Sequence, residues 1–201
     1  MAPVEPTERA RPRVGLNAHL LSLDETYRAA GGSRYIGKLL EHLPAADPSL
    51  DYHAFLADGR VALDRWAAHL SRWPTQRPAV RILWEQLAQP WVARRQGLDL
   101  LHAPFCVGPL VAPCPVVVSV HDLSFYRYPE LFRPMNRRYL QPFTRWSSHG
   151  ARLVLASSES TRRDVLDILS VPAERVAVVP LGVDGALQPV TDPGALAAFR
   201  H

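Results

Sequence analysis

At 201 residues the chain has the length of one ordinary domain, enough to bury roughly 70% of its unfolded surface without disulfide or metal staples. Its 47% hydrophobic content is that of a globular protein. The formal charge of +4 does not point to nucleic acid: arginine is spread along the chain, Lys38 is the only lysine, and no aromatic-interleaved basic stripe of a known nucleic-acid fold occurs, Arg133, Arg137, Arg138 and Arg145 being one local exception.

The predicted elements alternate between strand and helix. A first strand over 13–18 leads through a long loop over 19–32 into a helix over 33–43. Ser33 is its expected N-cap, and Tyr35, Ile36, Leu39, Leu40 and Leu43 form one apolar face at helical spacing. A strand over 51–57, a short helix over 64–72 and a brief strand over 80–83 follow. A helix over 85–96 then has to kink or break at Pro90. Further strands are expected over 98–102, 116–120, 152–156 and 175–179. Ser157-Ser158 opens a helix that buries Val165, Leu166, Ile168 and Leu169. This order implies an α/β fold, a doubly wound parallel sheet of six or seven strands with right-handed crossovers.

Cys106 and Cys114 lie in a proline-rich loop at a spacing that suits neither a redox pair nor a four-ligand metal site, so they read as small apolar residues. The polar stretch 1–13 has no apolar core for a signal peptide. The most apolar window, 107–120, is interrupted by Pro109, Pro113 and Pro115 and is too short to span a bilayer. A cytoplasmic protein is expected.

The run Val116-Val117-Val118-Ser119-Val120 has the β-branched character of a strand covered on both faces, and it delivers His121-Asp122 at its carboxyl end. Ligands of open α/β sheets bind outside that edge. His102-Ala103-Pro104 ends one neighbouring strand and Ser157-Ser158-Glu159 another. Gly31-Gly32 precedes the first helix, where glycine lets a phosphate approach free N–H groups. The dinucleotide fingerprint GxGxxG is absent, which disfavours an NAD-dependent oxidoreductase. The four ends together describe a polar crevice with capacity for a phosphate. They give a ligand class and leave the reaction open.

Several blocks resemble the amino-terminal domain of family 4 glycosyltransferases, mannosyltransferases among them. These are Val14-Gly15-Leu16-Asn17, Gly31-Gly32-Ser33-Arg34-Tyr35 and His121-Asp122-Leu123-Ser124-Phe125-Tyr126-Arg127-Tyr128-Pro129. Ala156-Ser157-Ser158-Glu159-Ser160-Thr161 and Val179-Pro180-Leu181-Gly182-Val183-Asp184 complete the set. The resemblance implies one Rossmann-like half of a GT-B architecture and retaining transfer of a sugar from a nucleotide-diphosphate sugar to a glycan, lipid or other acceptor. It implies no metal and no further cofactor. By position, Gly31, Gly32 and Ser158 match the donor side, and His121 matches the cleft histidine beside the transferred sugar. Arg34, Tyr126 and Arg127 are candidate acceptor contacts.

On this resemblance the chain divides into a polar tail over 1–12, a glycosyltransferase amino-terminal domain over 13–185 and the start of an interdomain helix over 186–201. The family's carboxyl-terminal donor domain is missing, so the isolated chain is expected to be inactive. The alternative is a non-catalytic Rossmann-like binding module that works with a separately encoded partner. Residues 132–146 add Arg133, Arg137, Arg138 and Arg145 beside Met135, Tyr139, Phe143 and Trp146 at helical steps, bent at Pro142. That pattern fits either a packing helix with a solvated arginine face or peripheral contact with the inner face of a membrane.

Overall fold

The computed structural model describes residues 11–23, 31–75 and 77–183, together with 187, 189–192, 194 and 198–199. Residues 1–10 of the expected tail, the loop residues 24–30, Asp184 of the exit block, and Pro193, Leu196 and Ala197 of the expected terminal helix lie outside them. Among the described residues the strands are β1 (Arg13–Asn17), β2 (Asp51–Leu56), β3 (Trp66–Leu70), β4 (Leu100–Ala103), β5 (Val116–Val120), β6 (Leu153–Ala156) and β7 (Val176–Val178). All pair in parallel, in the order β3-β2-β1-β4-β5-β6-β7. The order reverses between β1 and β4, so the carboxyl edge opens a crevice at that switch point.

The helices are α1 (Gly31–Ala46), α2 (Pro78–Leu83), α3 (Gln89–Gln96), α4 (Ser124–Arg127), α5 (Pro134–Gly150) and α6 (Glu159–Leu169). Strand β5 lies between β4 and β6, and Val118 and Val120 are fully buried. Each valine sealed in this way contributes roughly 1.5–3 kcal/mol. They join Leu101, Val154, Val165 and Leu169 in the larger core cluster. A second cluster holds Leu16, Ile36, Leu40, Ala54 and Trp66 under α1.

Three local expectations are corrected. Within 64–72, Trp66–Leu70 form the edge strand β3 and there is no helix. Trp66 pairs with Tyr52, and its indole N–H donates to the Leu40 carbonyl at 2.9 Å. These tertiary contacts override the helical preference of the two alanines. Residues 80–83 belong to α2, because Pro78 supplies the fixed φ favoured at a helix start and the turn runs on into the next segment. Ser33 lies inside α1. Its hydroxyl accepts from the Ser22 N–H (2.9 Å) and donates to the Ser22 carbonyl (3.1 Å), tying the loop after β1 to the helix.

The break expected at Pro90 takes a specific form. Trp84–Ala88 is a π-helical turn in which the Gln89 N–H donates to the Trp84 carbonyl, and Pro90 then occupies the first turn of α3. Proline has no N–H to return to the preceding turn, so the register slips by one residue there. The slip buries Trp84 and Glu85 together.

Candidate active site at the carboxyl edge of the sheet

His121 follows the last residue of β5 and is held from three sides. Its Nε2 lies 2.9 Å from the Pro104 carbonyl. A carbonyl only accepts, so Nε2 carries the proton. The ring stands edge-on to Tyr35 at 4.7 Å between centroids and against Phe105 at 5.0 Å. The His121 carbonyl receives the hydroxyls of Ser157 (2.7 Å) and Thr161 (3.0 Å), which locks the start of α6 to the end of β5. Nδ1 has no protein partner among the described residues.

The glycines are explained by the same stack. A Cβ on Gly32 would lie 2.5 Å from the Phe105 ring, whereas one on Gly31 would meet nothing within 4 Å. Gly32 thus permits the approach of Phe105, and through it the placement of His121. Both glycines are the first described residues of α1, where a loop was expected.

Beneath them His102 Nε2 and Ser119 Oγ are 2.8 Å apart, and the Tyr35 hydroxyl reaches the same Ser119 at 3.4 Å. Burial, with the His121 ring adding to it, lowers His102 to about 4, so it is neutral at pH 7. Burial also pushes the Cys106 thiol up to about 12, which makes it a poor nucleophile.

Gly32 and His121 therefore converge through Phe105, Gly31 precedes them without touching the stack, and Ser158 is linked to His121 only through Thr161 at the start of α6. There its hydroxyl accepts from the Thr161 N–H at 3.1 Å as the N-cap. The three acceptor-side residues are not brought together in the same way. Arg34 is exposed on α1 beside Ser33 and Lys38. The Tyr126 hydroxyl donates to the Gln141 carbonyl of α5, and the Arg127 guanidinium pairs with Asp164 of α6, its Nε 2.9 Å from Oδ2. Both brace α4.

Sequence reasoning passed over a second polar group at the same edge. Asn17, the last residue of β1, donates from Nδ2 to Glu85 Oε1 at 3.1 Å. Arg81 Nε lies 3.6 Å from that oxygen, and the Tyr139 ring comes in from α5 to line the same pocket of about 180 Å³. Burial raises the Glu85 carboxyl, against the opposing pull of Arg81 and Asn17. Behind them His19 packs on Trp84 at 4.1 Å with both ring nitrogens buried and without a hydrogen-bond partner among the described residues. Burial and the Arg81 charge lower it to about 3. The signal available in the sequence was Pro90, whose interruption of the helix creates the π turn carrying Glu85.

Known proteins agree with this architecture. The glycosyltransferase family 4 profile matches residues 29–186. The O-antigen chain mannosyltransferase B of Escherichia coli is 29% identical over 118 residues, which are 58% of this chain and 30% of the relative. The sucrose-phosphate synthase structure from Thermosynechococcus elongatus superposes with a TM-score of 0.52 at 13% identity, covering 94% of each chain. A glycosyltransferase from Rickettsia africae ESF-5 gives 0.50 at 12% identity, covering 94% of this chain and 48% of that one. The chain thus spans less than half the length of the mannosyltransferase and of the Rickettsia enzyme, and the two structures speak to the fold alone. With most of its length matched by the family profile, the chain belongs to glycosyltransferase family 4.

Proposed function

We propose that this chain is the acceptor-side half of a retaining hexosyltransferase that moves a sugar from a nucleotide-diphosphate sugar to a glycan or lipid-linked acceptor. A second Rossmann-like domain closes the cleft and completes the donor site. The observation that carries the reading is the stack Gly32–Phe105–His121–Tyr35 at the switch point of the sheet, within the residues matched by the family profile. Gly31, Gly32 and the Ser158-capped start of α6 approach the donor diphosphate. His121, fixed through Nε2, directs Nδ1 at the transferred sugar. With Nε2 protonated by its bond to the Pro104 carbonyl, Nδ1 presents a lone pair that accepts from a hydroxyl of that sugar and favours the positive charge that develops on it during transfer. Arg34 meets the acceptor from α1, while Tyr126 and Arg127 hold α4 in place. No metal takes part.

With one face open to water, the charged diphosphate is screened and half contacted. Residues 1–201 alone are therefore expected to transfer no sugar. Joined in frame to the carboxyl-terminal half of a family 4 mannosyltransferase, they should transfer labelled sugar from one of a panel of nucleotide sugars. Robust transfer by the isolated chain, or a folded joined protein inactive with every donor, contradicts the reading. The second outcome favours a binding module.

The reading includes work at the cytoplasmic membrane surface. No described helix is long and apolar enough to cross a bilayer. On α5, however, Met135 is 82% and Trp146 54% exposed, with Tyr139 and Phe143 half-buried between them. Leu83, Leu87 and Trp91 are exposed along the helical stretch 78–96, and Arg95 lies over the Trp91 ring. Arg133, Arg137, Arg138 and Arg145 surround α5 with no acidic residue between them. An apolar face with a basic rim suits an anionic lipid surface. Wild type should sediment with anionic vesicles, less so as salt rises, and an Arg137→Glu/Arg138→Glu variant should not. Equal sedimentation of the two would remove the membrane contact.

A further inference from the structure

We propose that the pocket at the end of β1 is a subsite for one neutral sugar unit of the acceptor, read by Glu85, Arg81 and Tyr139. The inference rests on the glycosyltransferase reading and deepens it by naming the chemistry of the acceptor at this point.

Unused hydrogen-bonding capacity is the first argument. Glu85 Oε1 is occupied by Asn17, but Oε2 has no partner among the described residues. The same is true of the terminal nitrogens of Arg81 and of the Tyr139 hydroxyl. Arg81 Nε is itself buried without a hydrogen bond. As scaffolding this is a poor arrangement. A carboxylate as buried as that of Glu85, 6% exposed, is held well only when its remaining lone pairs are matched, and an apolar side chain of equal volume stabilises at least as well. A ligand with adjacent hydroxyls supplies the missing matches, one donating to the carboxylate oxygen and the next accepting from the guanidinium.

The walls supply the rest. Leu20, Pro104, Phe105, Val107 and Leu140 line the pocket beside those polar groups. A sugar ring has this same division between a C–H face and a rim of hydroxyls. The volume of about 180 Å³ equals roughly six waters of liquid, which suits one ring. Charge selects further, because Glu85 and Arg81 together are neutral. An acidic sugar would face the carboxylate and an amino sugar the guanidinium, each unpaired on one side. Position agrees too, since Phe105 forms one wall here and packs on His121 with its ring, linking the pocket to the proposed transfer point. The π turn that carries Glu85 is a device found often at functional sites.

The test is saturation-transfer NMR on the 201-residue chain, with methyl α-D-mannopyranoside as the neutral probe and D-glucuronate and D-glucosamine as charged comparators. Millimolar binding of the mannoside is expected, at least about tenfold tighter than either charged sugar. Glu85→Gln and Tyr139→Phe should each weaken it about five- to tenfold, the scale of one hydrogen bond. Arg163→Ala, on the exposed side of α6, should leave it unchanged, and all three variants should keep the wild-type near-ultraviolet circular dichroism spectrum. Mannoside binding that survives both pocket variants but disappears with His121→Ala overturns the subsite and leaves the glycosyltransferase reading standing. No binding of the mannoside, or a preference for a charged sugar, overturns it as well. The transfer assay on the joined protein judges the wider reading independently.

Discussion

Two regions meet at Phe105 and differ in how their polar atoms are used. Around His121 the protein satisfies nearly everything itself: Nε2 is bound to Pro104, the main-chain carbonyl takes two hydroxyls, and Ser119 links His102 to Tyr35. In the β1 pocket the anchoring bond from Asn17 to Glu85 is made, while Glu85 Oε2 and the Tyr139 hydroxyl are left without a partner among the described residues. The first pattern fixes a reactive side chain in place. The second holds donors and acceptors ready for an incoming molecule. Substitutions on the His121 side should therefore disturb stability or turnover, and those in the pocket should disturb binding with little change in stability.

The largest stability effect is expected from acid, which attacks the buried rings behind both regions. His102 and His19 lie below their ordinary value of 6.5 in the fold, at about 4 and about 3. The unfolded chain therefore takes up protons before the native one does. Their contribution is complete above about pH 6.5 and is lost as pH falls toward 4 and then 3, by several kcal/mol for the pair at roughly 1.4 kcal/mol per pH unit and group. Denaturant unfolding at pH 7.5 and 4.5 should register the loss, and a His19→Gln/His102→Gln variant should flatten it. An unchanged slope in that variant would remove these rings as the cause.

Next comes the contrast between adjacent glycines. Gly32→Ala places a methyl group against Phe105 and should cost about 1–3 kcal/mol from overpacking, less a helical gain of up to about 1 kcal/mol. Gly31→Ala meets open space and should be neutral or slightly stabilising. Equal effects at the two positions would show that the Phe105 stack does not constrain α1. Removing the α6 cap with Ser158→Ala should cost about 1 kcal/mol, read from the urea midpoint. A midpoint identical to wild type would count against the cap.

The smallest stability change belongs to the pocket. Burial raises the folded Glu85 carboxyl above its unfolded value, so burial works against its charged form and its contribution to stability falls as pH rises through the folded value. Glu85→Gln keeps an acceptor for Asn17 and carries no charge. It should be as stable as wild type at pH 7, or more so. A large loss of stability would make Glu85 a structural anchor and erase the contrast between the two regions.

Much of the architecture was legible because its signals are local and dense. The valines of β5, the N-cap Ser158 and the apolar face of α6 each imply one structure regardless of partners. The region 58–96 was harder. Trp66-Ala67-Ala68-His69-Leu70 has no strong period of its own, and it becomes a strand through Tyr52 and the His53–His69 stack, contacts distant in sequence. Val80 and Ile82 look like strand residues until Pro78 is given weight as a helix start. At the site, His121, Gly31 and Gly32 stood out by residue type. Arg81, Glu85 and Tyr139 did not, because each looks like an ordinary helical residue until the π turn and the path of α5 set them around one cavity.

Turnover of the joined two-domain protein with His121→Ala tests the central claim most directly, namely that the switch-point crevice organised by His121 is where sugar is transferred. With the fold confirmed by circular dichroism, the account predicts a loss of about 10²–10³-fold in transfer rate, the scale of removing one preorganised hydrogen bond at developing charge. Turnover within a fewfold of wild type in the folded variant would contradict it.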